Sequence, residues 1–167
     1  MAALLTAASL LSPSAEAQTT ATTGARKSLT VDRIVAATPE QVWNILRTAD
    51  DVDAWFPVIA TCKLDGKGEG AKRVCTTADG KTILESIVTV DDAQRIFQYR
   101  IDQQEMMPIR DMLGTMRVYV QDGKTHVRWT AEFEMTMEEA FAQVQDGIIG
   151  MYFTGLDGLE RLASTKH

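Results

Sequence analysis

The sequence predicts an α+β fold: a curved antiparallel sheet of seven strands around one long C-terminal helix, with two short helices after the first strand. Three observations carry this. Strand-like runs follow one another from Ile59 to Met135 with turn residues at each junction, and consecutive strands joined by short turns form an antiparallel meander. From Glu138 to Ala163 the apolar spacing changes to steps of three and four, the period of a helix with one buried stripe. A meander cannot bury its own inner face, and this helix is the cover it needs. With 45% hydrophobic residues in a chain of 167, a single domain has enough apolar material for a core.

Met1 to Leu11 is small and apolar, Pro13 and Ser14 interrupt it, and Ala15-Glu16-Ala17 has the A-x-A form of a signal-peptidase site. Residues 1–17 are therefore expected to be a secretory signal. No Lys or Arg precedes the apolar run, so an N-terminal tail is the alternative. The run is shorter than the roughly 20 residues a bilayer span requires, so no membrane span is expected. Residues 18–28, rich in Thr and Ala, read as a flexible lead-in to a domain covering 29–167. Cleavage would place that domain in the periplasm or outside the cell.

Leu29–Val35 alternates and is β-branched, so it reads as a strand. Thr38 is an N-cap, Pro39 fits the first helical position and Gln41 the third, which opens a helix over Pro39–Arg47. A second short helix is expected over Asp50–Trp55, stopped by Pro57. The following strands are Ile59–Leu64, Ala71–Thr77, Thr82–Val90, Arg95–Asp102, Thr115–Val120 and Thr125–Met135, with turns at Gly66/Gly68/Gly70, Asp79-Gly80, Asp91-Asp92 and Asp122-Gly123. In the last helix Phe141, Val144, Ile148, Tyr152, Leu156, Leu159 and Leu162 trace one stripe. Gly147, Gly150, Gly155 and Gly158 lie inside it. Each costs about 1 kcal/mol relative to Ala, which points to a close approach or a kink.

Cys62 and Cys75 flank the Gly-rich turn centred near Gly68 and would face each other across a hairpin. In an oxidising compartment they could form a disulfide; as free thiols they would act as small buried hydrophobes. The Asp122-Gly123 turn pairs Val118 with Val127 and Met116 with Trp129 on one face, continued by Ala131 and Phe133. Phe97, Tyr99 and Ile101 form the matching face of the preceding strand. Trp55, Met107, Phe141 and Tyr152 join Phe97, Tyr99, Met116, Trp129 and Phe133 as candidate walls of a pocket for a small apolar molecule. Ordinary core packing is the competing assignment for each of them.

Ala37-Thr-Pro-Glu-Gln-Val-Trp43, Trp55-Phe-Pro57, Gly70-Ala-Lys-Arg73, Asp79-Gly80, Glu85, Tyr99-Arg-Ile101, Met107-Pro108, Gly114-Thr115 and Val127-Arg-Trp129 occur in an order that resembles the START/Bet v 1-like superfamily. This is also called the SRPBCC or polyketide cyclase/dehydrase group. The resemblance implies a helix-grip fold over about residues 29 to 162. It is nearest to a branch with plant abscisic-acid receptors, lachrymatory factor synthases and bacterial MxaD-like proteins. The receptors' Ser-Gly-Leu-Pro-Ala gate pattern is absent, so hormone sensing is not implied. In lachrymatory factor synthases an Arg and a Glu at the matching positions are catalytic. By that likeness Arg73 would anchor a polar or anionic oxygen, and Glu85 would transfer a proton. Turn length decides whether they meet. A two-residue Asp79-Gly80 turn pairs Arg73 with Ser86. A three-residue Ala78-Asp79-Gly80 turn pairs it with Glu85, and the family favours the latter.

Other chemistries find little support. Net charge is −6 with no basic cluster, so no nucleic-acid partner is expected. The only histidines are His126 and His167, too few for a His-rich metal site, and a His-based triad is not expected either. No dinucleotide or phosphate-loop motif occurs, so no cofactor is expected. Three functions follow: an exported small-molecule binder; an isomerase or cyclase using Arg73 and Glu85; or, from the MxaD-like resemblance, an accessory protein of a periplasmic quinoprotein dehydrogenase. Oligomeric state is left open.

Overall fold

The computed structural model describes residues 25–165. The proposed signal at 1–17 lies outside them. β1 (Lys27–Val35) is followed by α1 (Pro39–Leu46) and α2 (Val52–Trp55). Six strands come next: β2 (Ile59–Asp65), β3 (Lys72–Thr77), β4 (Thr82–Asp91), β5 (Ile96–Gln103), β6 (Ile109–Gln121) and β7 (Lys124–Met135). A short 3₁₀ turn over Glu138–Ala140 leads into α3 (Phe141–Thr165). The sheet order is β1-β7-β6-β5-β4-β3-β2, with every neighbouring pair antiparallel. This is the helix-grip architecture expected from the sequence. Among the described residues, no helix is long and apolar enough to cross a membrane.

Local chemistry fixes the entry to α1. Thr38 Oγ1 accepts from the Gln41 backbone N–H at 3.2 Å, and Gln41 Oε1 accepts from the Thr38 N–H at 2.8 Å. This reciprocal pair satisfies two donors the helix start would otherwise leave open.

Two strands begin two or more residues earlier than expected. β1 starts at Lys27, inside the supposed lead-in, because Lys27 and Ser28 still pair with Phe133 and Glu132 of β7. β6 starts at Ile109 and not at Thr115. Its first half crosses a bulge between Arg110 and Leu113, with Asp111 at φ 51°, and so lacks clean alternation. Gly114 belongs to the strand because it lies opposite Tyr99, and a Cβ there would run into the Tyr99 ring.

The glycines of α3 divide into two kinds. A Cβ on Gly155 would sit 2.8 Å from Trp129 Cζ3 and 3.0 Å from Phe56, and one on Gly158 would overlap the Trp55 carbonyl. These two let α3 press against α2 and the sheet. Gly147 and Gly150 face open space. The core lies between α3 and the inner face of the sheet. Val42, Met116, Val127, Phe133, Ile148, Leu156 and Leu159 are fully buried there.

Candidate functional site

The polar centre begins at the turn between β3 and β4. Thr77 N–H donates to the Lys81 carbonyl and Gly80 N–H to the Thr77 carbonyl, each at 2.9 Å. Gly80 has φ 84°, a left-handed conformation that glycine takes without steric cost. The loop is thus the three-residue one, Ala78-Asp79-Gly80, and Arg73 is the register partner of Glu85. Arg73 Nε donates to Glu85 Oε2 at 2.6 Å. An Arg73 Nη donates to the Ala49 carbonyl at 2.9 Å, in the loop between α1 and α2. Arg73 is 5% exposed and Glu85 8%. Each charge is therefore desolvated but partnered, the condition under which a buried ion pair persists. The guanidinium also lies 5.9 Å from the Phe97 ring centre and 5.7 Å from that of Tyr99.

An aromatic group adjoins this pair. Trp129 Nε1 donates to Tyr99 Oη at 3.1 Å. The Trp129 ring stacks on Tyr152 of α3, with centroids 3.9 Å apart and planes 7° from parallel. Trp55 and Phe56 close on Trp129 at 5.8 and 5.4 Å. Burial pushes the Tyr99 phenol up to about 12, and the Glu85 carboxylate adds to that rise. Burial also lifts Tyr152 well above the ordinary tyrosine range, with further contributions from Tyr99 and Glu85. Both phenols are therefore neutral at physiological pH. Tyr152 Oη is the one buried side-chain N or O atom among the described residues without a hydrogen-bond partner.

These groups line one cavity, of about 70 Å³. Its wall includes Arg73, Glu85, Trp55, Phe97, Tyr99, Met107, Met116, Trp129 and Tyr152. Phe133 and Phe141, also expected in the wall, are not part of it. Phe133 is fully buried on the β1 side of the sheet, opposite Lys27. Phe141 opens α3 and packs under the Lys27 ammonium, 4.9 Å from its ring centre. Sequence reasoning missed Val52, Phe56, Val58, Ile59, Ile83 and Met151 as lining residues. Phe56 and Met151 are chain neighbours of the expected wall residues Trp55 and Tyr152. A dry cavity of about 150 Å³ takes benzene. This one admits a smaller molecule, or a larger one if the five lining methionines, 106, 107, 112, 116 and 151, change rotamer.

Cys62 and Cys75 are register partners joined as a disulfide. Cys75 lines the cavity, and its Sγ lies 3.8 Å from Glu85 Oε2. Among the described residues, no cluster of His, Cys, Asp and Glu is placed to hold a metal ion.

Residues 26–164 match the family model described as polyketide cyclase / dehydrase and lipid transport. The chain belongs to this family. Its fold is shared with XoxI from Bacillus cereus, 25% identical over 84% of this chain and 96% of that one, with a TM-score of 0.67. It is shared with a ginseng major latex-like protein from Panax ginseng, 15% identical over 83% and 97%, TM-score 0.71. Norcoclaurine synthase from Thalictrum flavum, solved with dopamine and hydroxybenzaldehyde, is 16% identical over 96% and 99%, TM-score 0.71. Among curated proteins none matches the sequence significantly. The family membership and the Bet v 1-like fold support a ligand-binding scaffold, but a fold hosts many functions and the site has to carry the rest.

Proposed function

We propose that this protein binds a small, largely apolar molecule in the cavity between the sheet and α3, oriented by the polar centre at Arg73, Glu85, Tyr99 and Tyr152. The observation that carries the proposal is the cavity's composition. Its wall is overwhelmingly apolar and aromatic, with a few polar groups clustered around Arg73, the usual make-up of a small-molecule site. Native mass spectrometry of protein purified from its own host tests it. A co-purified small molecule, lost in a cavity-filling Met116→Trp variant that still folds, is the expected result. Protein that retains no molecule and binds none from a panel of small apolar compounds would refute it.

The Cys62–Cys75 bond supports export, because disulfides persist in oxidising compartments. Export places the protein in the periplasm or outside the cell, and N-terminal sequencing of mature protein starting at Gln18 would establish it. Export also sets the test for the dehydrogenase partner implied by the MxaD-like resemblance: a pull-down from periplasmic extract should capture a quinoprotein dehydrogenase or its cytochrome.

A second reading is favoured by one observation. Both Arg73 and Glu85 face the cavity, and a carboxylate held against a ligand can transfer a proton. On this reading the protein is an isomerase or cyclase. Glu85→Gln would then abolish turnover of the bound compound while sparing its binding; unchanged turnover would exclude the role.

A further inference from the structure

If the cavity is a binding site, its polar groups set what it selects, and the selection below rests on that reading. Two phenols, Tyr99 of β5 and Tyr152 of α3, line the same cavity. Trp129 Nε1 already donates to Tyr99 Oη, so the Tyr99 proton is free to be donated elsewhere. Tyr152 Oη makes no hydrogen bond of good geometry, although it lies close enough to the Tyr99 hydroxyl for each to perturb the other's ionisation. However these two hydroxyls turn toward one another, at least one O–H is left without an acceptor. The Glu85 oxygen that takes the Arg73 bond is Oε2, and neither phenol bonds to this carboxylate. An unmade hydrogen bond in a buried site is costly, and a ligand oxygen would relieve that cost.

The charge around the hydroxyls narrows the class of oxygen. At Tyr99 the Glu85 carboxylate opposes a negative charge more than the Arg73 guanidinium favours one. An anionic ligand oxygen placed there would meet the same unfavourable field. A neutral acceptor would not, and the apolar walls suit an uncharged skeleton. From these residues we infer that the site selects a neutral carbonyl compound, whose oxygen accepts the Tyr152 or Tyr99 O–H while its carbon skeleton lies among Trp129, Phe97 and Met116. The same residues discriminate against carboxylates of similar shape.

Three molecules of nearly one shape test this in a cavity of this size: 2-butanone, 2-methyl-1-butene and propionate. Binding is read by NMR titration of the wild-type chain and of Tyr152→Phe and Tyr99→Phe. Tyr152→Phe removes a hydroxyl that has no partner in the folded protein, so its fold is not at risk. Butanone is expected to bind the wild type and to lose about tenfold in affinity in at least one variant. The alkene should keep its affinity in both. Propionate should bind the wild type more weakly than butanone. With butanone labelled at its carbonyl carbon, the bound ¹³C resonance should move downfield in the wild type and revert in the responding variant. Equal losses for ketone and alkene, or a preference for propionate, would overturn the carbonyl assignment and leave the cavity as a binder. If none of the three probes binds, both the assignment and the binding function fall.

Discussion

Two clusters in this molecule use nearly the same residues on opposite faces of the sheet. On the inner side Arg73, Glu85 and Tyr99 of the sheet meet Tyr152 of α3. On the outer face Asp32 accepts hydrogen bonds from Tyr119 Oη at 2.5 Å and Arg128 Nε at 2.8 Å, and His126 Nδ1 lies 3.0 Å away. Tyr119 and His126 stack at 5.1 Å. Partial burial pushes the Asp32 carboxyl up, but the hydrogen bonds from Tyr119, His126 and Arg128 outweigh it and hold it below the usual carboxylate range. The outer cluster is closed on itself and reaches water, so each charge has solvent as well as a partner. The inner cluster has neither solvent nor a full set of partners. Similar side chains therefore form a surface network in one place and an unfinished site in the other. The difference is dielectric and one missing acceptor.

Breaking each cluster at its carboxylate gives the largest contrast. Glu85→Leu leaves the Arg73 guanidinium buried without its counter-ion and should cost about 3–5 kcal/mol in urea unfolding. Asp32→Asn, in the exposed network, should cost less than about 1 kcal/mol. Adding Arg73→Met to Glu85→Leu should recover most of the loss, because a buried ion pair replaced by apolar groups of similar size is close to neutral. Equal costs inside and outside would show that the inner pair is solvated.

Alkaline pH separates the two faces next. The folded state raises Tyr99 to about 12 from an ordinary value of 10.0. A neutral phenol is thus favoured in the folded protein, and its contribution is complete below about pH 10. As pH rises from 10 toward 12 that contribution is lost, at a rate approaching about 1.4 kcal/mol for each pH unit. Unfolding midpoints should fall over that window, and tyrosinate absorbance of the inner pair should appear only with unfolding. Tyr119 is also raised, by its hydrogen bond to Asp32, but it can ionise in the folded chain. The inner and outer faces of α3 differ in the same sense. Gly158→Ala should cost about 1–3 kcal/mol by overpacking against Trp55, whereas Gly150→Ala should gain up to about 1 kcal/mol.

The sheet, its topology and the last helix were legible because period and turn chemistry are local. The Asp122-Gly123 hairpin alone set Met116 opposite Trp129, and the structure has that register. The Asp79-Gly80 turn was ambiguous from its own two residues. Its length is settled by Thr77, whose hydroxyl donates to Asp79 at 2.5 Å and accepts from the Lys81 N–H at 3.0 Å. Periodicity told which face a residue takes but not how far it lies from the cavity. Phe133 therefore shares Trp129's face and still packs in solid core. The unpartnered Tyr152 hydroxyl had no signature in sequence at all, because it is defined by a neighbour that is missing.

The smallest effect carries the sharpest form of the comparison, because its sign differs between the two faces. Tyr119→Phe removes a hydroxyl that donates to Asp32 and accepts from Arg128 at 3.1 Å. That change should cost about 0.5–1 kcal/mol, the ordinary net value of such bonds near water. Tyr152→Phe removes a hydroxyl that was buried without a partner. The folded state sheds a desolvation penalty while the Trp129 stack, made by the ring alone, is kept. The variant should be more stable than wild type by about 1 kcal/mol. A protein that gains stability when one hydroxyl is deleted has kept that hydroxyl at a cost, as expected of a group reserved for a ligand. If Tyr152→Phe is instead destabilised as much as Tyr119→Phe, then Tyr152 already bonds within the fold, and the inner cluster is as complete as the outer one.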